Sequence, residues 1–365
     1  MHPFRGPRVI ISCERRSGRR CDLHRGCPGT KLGGNQARRE QCNNDANRRN
    51  RRPEVHDLIV TQDAIDCNVL ECARTSGDVA AVIEPVLQDD AFLEDVASAR
   101  HDTEHLHLWW LGQSGFLVQW QNHHLLFDPY LSDSLTHKYA ATSKPHVRMT
   151  ETVVAPERLD FIDVVTSSHN HTDHLDKETL QPLLRVNPKL ELVIPEANRE
   201  FVVDRLAIAA EYPRGLDAGQ LVTVGGFKIH AVPAAHPLIE KDDWGRHRFL
   251  GYVVEAGPWT IYHSGDTKLY DEMEARLAEW TIDLALLPIN GDLPERGVAG
   301  NLNGREAATL AKSIGARLVI PCHYEMFEFN TASTDEFVAA ARAHQQPYCV
   351  LLAGQRWSSR ELQVQ

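Results

Sequence analysis

From residue 106 onward the chain breaks into short apolar runs separated by polar and glycine-containing gaps. Residues 106–111, 115–120 and 123–128 read as three consecutive strands joined by tight turns, with Gly112 and Gly115 at the first turn and Gln121-Asn122 at the second. Further strands are expected at 163–167, 190–194, 221–224, 227–232, 249–255, 260–263, 283–288, 317–321 and 348–352. Helices are expected at 177–185, 196–210, 268–280, 305–314 and 335–344, the fourth capped by Asn303. A meander followed by mixed strand–helix units predicts an α/β chain with two sheets and helices outside them. Upstream, Ile65, Val69, Leu70, Ala73, Val79, Val82, Ile83, Val86, Leu87, Phe92 and Val96 recur at helical spacing and predict a helical preface over 56–104. Residues 1–55 carry no sustained period and read as a disordered extension, leaving 105–365 as the catalytic domain.

Composition narrows the class. With 365 residues, 42% apolar and 24% charged, the chain has the make-up of a soluble globular protein with a sizeable core. No run of about 18 apolar residues occurs, so no membrane span is expected. The first thirty residues lack the apolar centre of a secretory signal. Eight cysteines are too few for a disulfide scaffold, and a cytoplasmic setting is expected. Charge divides the chain: residues 1–55 carry 14 Lys and Arg against 5 Asp and Glu, while 56–365 carry 25 against 45. The acidic body argues against a nucleic-acid partner, which needs a basic stripe. Within the basic extension, Cys21, His24 and Cys27 do not reproduce the spacing of a structural zinc site.

The chemistry concentrates in Ser168-His169-Asn170-His171-Thr172-Asp173-His174, at the exit of an apolar strand. His169 and His171, two apart, can present both rings on one side of an extended segment, and Asp173 and His174 can face a second point. Imidazole and carboxylate together suit divalent transition metals. Three more candidates follow at strand exits: His236 in Ala-Ala-His-Pro, Asp266 after Tyr-His-Ser-Gly, and His323 after Val-Ile-Pro-Cys.

This order of His-x-His-x-Asp-His, then His, Asp and His, resembles the metallo-β-lactamase superfamily. The resemblance implies a four-layer αββα sandwich with two divalent metal ions, Mn2+ or Zn2+, at one edge. It implies that His169, His171 and His236 hold one ion, that Asp173, His174 and His323 hold the other, and that Asp266 bridges both. Trp109-Trp110-Leu111-Gly112, Tyr262-His263-Ser264-Gly265-Asp266 and Val319-Ile320-Pro321-Cys322-His323 are similar to the L-ascorbate-6-phosphate lactonase group, which implies a manganese-dependent homo-oligomer acting on a small, phosphorylated lactone. Departures include Tyr324-Glu325 after His323, where that group carries His and Asp. The alternative is a phosphodiesterase similar to N-acyl-phosphatidylethanolamine phospholipases; a third reading is a diiron redox scaffold.

In the hydrolase reading, two cations share a water and lower its pKa from 15.7 toward about 7, and the resulting hydroxide opens the lactone or ester. The resemblance suggests Asp173 and Asp266 as the catalytic carboxylates. Asp128, Asp176 and His263 are candidates to orient the imidazoles. In the polar loop 237–248, Trp244, Arg246, His247 and Arg248 are candidate substrate contacts, the cations for a phosphate and Trp244 for a ring. Lys138, Lys144, His146 and Arg148 form a second such set.

Overall fold

The computed structural model describes residues 82–362. The extension 1–55, its cysteines and the expected preface over 56–81 lie outside the described residues. Among the described residues, thirteen strands make two sheets. The first contains β1 (Leu106–Gly112), β2 (Gly115–Trp120), β3 (His123–Phe127), β4 (Val164–Thr166), β5 (Glu191–Pro195), β6 (Arg214–Leu216) and β13 (Arg356–Ser358), in the order β13-β1-β2-β3-β4-β5-β6. The second runs β12 (Leu318–Cys322), β11 (Leu284–Pro288), β10 (Trp259–His263), β9 (Leu250–Ala256), β8 (Phe227–Pro233), β7 (Leu221–Val224).

Each sheet joins an antiparallel meander to parallel strands. β1, β2 and β3 pair antiparallel, and β3 to β6 pair parallel. β7 to β10 pair antiparallel, and β10, β11 and β12 pair parallel. Leu117, Phe127 and Val165 of the first sheet share one buried core with Ile229, Val253, Ile261, Leu286 and Ile320 of the second. Helix α6 (Gly304–Ser313) packs on β11 and β12, and α7 (Asp335–Ala343) packs on α6. The expected αββα sandwich is the observed architecture. Among the described residues, no helix is long and apolar enough to cross a membrane.

Several expected elements come out differently. Within the described part of the preface only α1 (Asp89–Ala99) is helical, burying Phe92 and Val96. Val82 and Val86 are exposed, and Ile83 bridges Thr150 in extended backbone. The helix expected at 268–280 shrinks to α5 (Met273–Leu277), because Lys268 N–H donates to Ala235 O and Tyr270 Oη donates to Pro233 O, tying the preceding stretch to the end of β8. The helix expected at 196–210 becomes a 3-10 turn, Glu196–Asn198, and α4 (Arg199–Leu206), stopped by left-handed Ala207. The strand expected at 348–352 makes a single bridge, Tyr348 to Val319, with Pro347 lacking the N–H that a ladder needs. The strand that closes the sheet is β13, on β1. Two short elements escaped the pattern: α2 (Ser134–Tyr139) and β6.

Candidate metal centre

β4, β8, β10 and β12 all deliver their C-terminal ends to one edge of the sandwich. β4 runs into the 167–174 loop, where His174 and Leu175 N–H donate to His171 O and close one turn. α3 (Lys177–Val186) follows directly. This turn folds His169 and His171 together, with ring centroids 4.5 Å apart. His236 follows β8 and joins them at 5.3 and 5.1 Å. Ligand atoms of His169, His171 and His236 lie within 4.8 Å of one another, as do those of Asp173, His174 and His323.

Asp266 stands between the two groups. Its Oδ1 is 3.3 Å from His174 Nε2, and its Oδ2 is 3.7 Å from His236 Nε2 and 3.4 Å from His323 Nε2. Asp173 Oδ2 is 3.6 Å from His174 Nε2 and 3.8 Å from His323 Nε2. These separations are long for hydrogen bonds. They approach the roughly 3.0–3.5 Å that separates two donors on one ion when each bond is about 2.1 Å.

The outer nitrogens are held from behind. His174 Nδ1 is 2.6 Å from Asp128 Oδ2. His169 Nδ1 is 3.0 Å from Ser168 Oγ, which also donates to Asp128. His236 Nδ1 donates to Gly300 O at 3.1 Å. Those contacts fix the rings so that the Nε2 atoms face inward. His169 Nε2, His174 Nε2 and Asp266 Oδ1 are buried without a hydrogen-bond partner. Buried polar atoms are seldom left so, and cations held at this edge would satisfy them. The residues therefore fit divalent metal.

Electrostatics divide the donor set: burial works against charge on His174, but Asp266, Asp173 and Asp128 outweigh it and hold that imidazole well above its usual pKa. Burial, reinforced by the neighbouring His174 and His171, holds His169 well below its usual pKa, and burial also lowers His236. Neutral imidazoles keep their lone pairs for a metal. Burial works against charge on Asp266, but His174 and His323 outweigh it and hold the carboxyl well below the usual range.

Of the expected orienting residues, Asp128 is in place, fully buried behind His174. Asp176 is not: it caps α3, accepting from Glu178 N–H and from the hydroxyls of Ser132, Ser134 and Thr179. His263 is buried against Phe127, with its Nε2 on Ser114 O, and touches none of the candidate ligands. In the loop 237–248 the candidate contacts have partners within the protein. Arg246 pairs with Asp242 and Glu196, and His247 pairs with Asp217. Trp244 lies open to solvent under Arg246, and the Arg248 carbonyl accepts from Asn198. In the second set, Arg148 pairs with Asp133, Lys144 donates to Gly297 O, and His146 sits among Tyr139, Phe327 and Phe329.

Sequence reading missed Gln113. It lies in the β1–β2 turn, fully buried, with Nε2 2.8 Å from Asp173 Oδ2 and 2.9 Å from His323 Nε2. A turn glutamine carries no spacing signal of its own; a polar residue between two largely apolar strands was the available hint.

The sequence pattern of the beta-lactamase superfamily domain matches residues 123–324, more than half of the chain. The chain belongs to that superfamily. It is a metal-dependent hydrolase of the metallo-β-lactamase fold. A UPF0173 metal-dependent hydrolase of Saccharolobus solfataricus is 26% identical over 67% of this chain and 96% of its own length. Among solved structures, a possible metal-dependent hydrolase from Veillonella parvula superposes with a TM-score of 0.56 at 15% identity, over 69% of this chain and 98% of its own. The isothiocyanate hydrolase from Delia radicum gut bacteria gives 0.54 at 18% identity, with the same shares. These two structural likenesses speak to the fold.

Proposed function

We propose that residues 105–365 form a dinuclear hydrolase that opens a carbon electrophile, an ester or lactone, in a small substrate. The observation that carries this reading is Asp266: one carboxylate lies 3.3–3.7 Å from three Nε2 atoms drawn from both histidine groups. His169, His171 and His236 would hold one ion, Asp173, His174 and His323 the other, and Asp266 would reach both. Bound divalent ions lower the pKa of water and polarise the oxygen of an electrophile.

The protein's own groups do the rest. Asp128 and Gly300 O hold His174 and His236 in the tautomer that turns Nε2 inward. Asp173, half-buried at the edge, is the carboxylate placed to accept a proton. An imidazole and carboxylate set without thiolate suits zinc or manganese. The loop cations already engaged by Asp217, Asp242, Glu196 and Asp133 weigh against a phosphorylated lactone such as L-ascorbate 6-phosphate.

The test is turnover by the full chain loaded with Mn2+ or Zn2+, offered γ-butyrolactone, p-nitrophenyl acetate, L-ascorbate 6-phosphate and bis(p-nitrophenyl) phosphate. We expect the first two to be hydrolysed, with a loss of at least about a thousandfold in Asp266→Ala. Hydrolysis of the phosphodiester alone would overturn the acyl reading in favour of phosphodiesterase chemistry.

A further inference from the structure

The two halves of the ligand set differ in one contact. In the half made by His169, His171 and His236, the Nδ1 atoms of His169 and His236 are held from behind, and His169 Nε2 meets no internal donor. In the half made by Asp173, His174 and His323, the Gln113 amide reaches in and bridges Asp173 Oδ2 and His323 Nε2 at 2.8 and 2.9 Å. A carboxylate only accepts, so the Gln113 atom facing it is the NH2 group. That nitrogen has two hydrogens, one for Asp173 and one for the inward lone pair of His323.

The contact is built rather than incidental. Gln113 holds left-handed backbone at φ 50°, and so does His323 at φ 63°. Gln113 O accepts from His323 N–H at 2.9 Å and from Trp110 Nε1 at 3.0 Å, locking turn and ligand together. Gly or Asn would serve the turn with less strain. What glutamine adds is reach to residues 60 and 210 positions away.

His323 Nε2 has one lone pair, and it cannot accept from Gln113 and ligate an ion at once. We propose that Gln113 makes the two half-sites unequal. The first ion enters at His169, His171 and His236; the second binds more weakly at Asp173, His174 and His323, because it must displace the Gln113 amide from His323. This inference rests on the dinuclear reading above and concerns the order and spacing of the two binding steps.

The experiment is Zn2+ binding to the full chain stripped of metal, followed by calorimetry and by competition with a chromophoric chelator. The chains are wild type, Gln113→Met and Gln113→Glu. Methionine keeps the length and removes the donor; glutamate replaces the donor with an acceptor. Circular dichroism and thermal unfolding report whether each variant is folded. Wild type is expected to show two separated steps. Gln113→Met is expected to tighten the second step about tenfold, the worth of one displaced hydrogen bond, and to leave the first unchanged. Gln113→Glu is expected to tighten it at least as much, which keeps the test alive if one variant misfolds. Two equal steps in wild type, or a second step indifferent to or weakened by both variants, would overturn the inference. Binding of fewer than two ions by wild type would instead strike the dinuclear reading itself.

Discussion

Gln113, Asp128 and His323 hold left-handed backbone without being glycine, at φ 50°, 36° and 63°. Such residues cost of order 1–3 kcal/mol each and persist where the surroundings over-determine them. Here all three meet around one carboxylate-rich centre, two of them through Asp173 and one through His174. A residue outside the centre shows what burial does to a histidine. His124 is buried edge-on to Phe161, and its Nε2 has no partner. Burial, with Arg100 and His123 nearby, lowers its pKa from 6.5 to about 3. As pH falls below 6.5 the unfolded chain takes the proton first, so this site draws stability down by about 1.4 kcal/mol per pH unit until pH nears the folded value. His124→Leu removes that titration. Urea midpoints at pH 7 and pH 5 should show the variant losing about 2 kcal/mol less than wild type between the two. Equal losses would mean that His124 is not a source of acid lability.

At the scale of elements, the ends of helices decide how the edge of the sandwich is set. Asn303 caps α6: its side chain accepts from Glu306 N–H, and Glu306 reaches back to Asn303 N–H, each at 2.9 Å. α6 in turn packs on β12, which leads into His323, and carries α7 on itself, and Gly304 sits so close to Phe337 that a Cβ would meet its backbone nitrogen at 2.5 Å. Asn303→Ala should lower stability by about 1 kcal/mol, while Glu306→Gln, which keeps the box, should lower it less. Denaturant unfolding of both variants checks this ordering, and an equal loss would contradict it. The Asn303 cap was legible because Asn stands directly before an amphipathic run. The tail strand was misplaced because an apolar run at 348–352 looks the same whether it is buried by a ladder or by packing alone. The shortened helix at 273–277 was hidden for a related reason: long-range bonds from Lys268 and Tyr270 override a favourable local pattern.

For the molecule as a whole, the sandwich exists to bring strand ends far apart in sequence to a single edge. That much could be read from the chain, because four ligand-bearing segments each follow an apolar strand and four candidate ligands crowd residues 169–174. The backing contacts were partly legible: Asp128 stood at a strand end, whereas Ser168 and Gly300 act through a hydroxyl and a backbone carbonyl that no residue pattern marks. Substrate-facing residues were the least legible. A charged loop such as 237–248 has the same composition whether its cations meet a ligand or, as here, neighbouring carboxylates. The proposed chemistry depends on Asp266 lying between two ions. Anomalous difference maps from crystals of the full chain grown with Mn2+ test it directly. The account predicts two peaks flanking the Asp266 carboxylate, about 3.5–4 Å apart, one beside His169, His171 and His236 and one beside Asp173, His174 and His323. A single peak, or peaks that do not share Asp266, would contradict it.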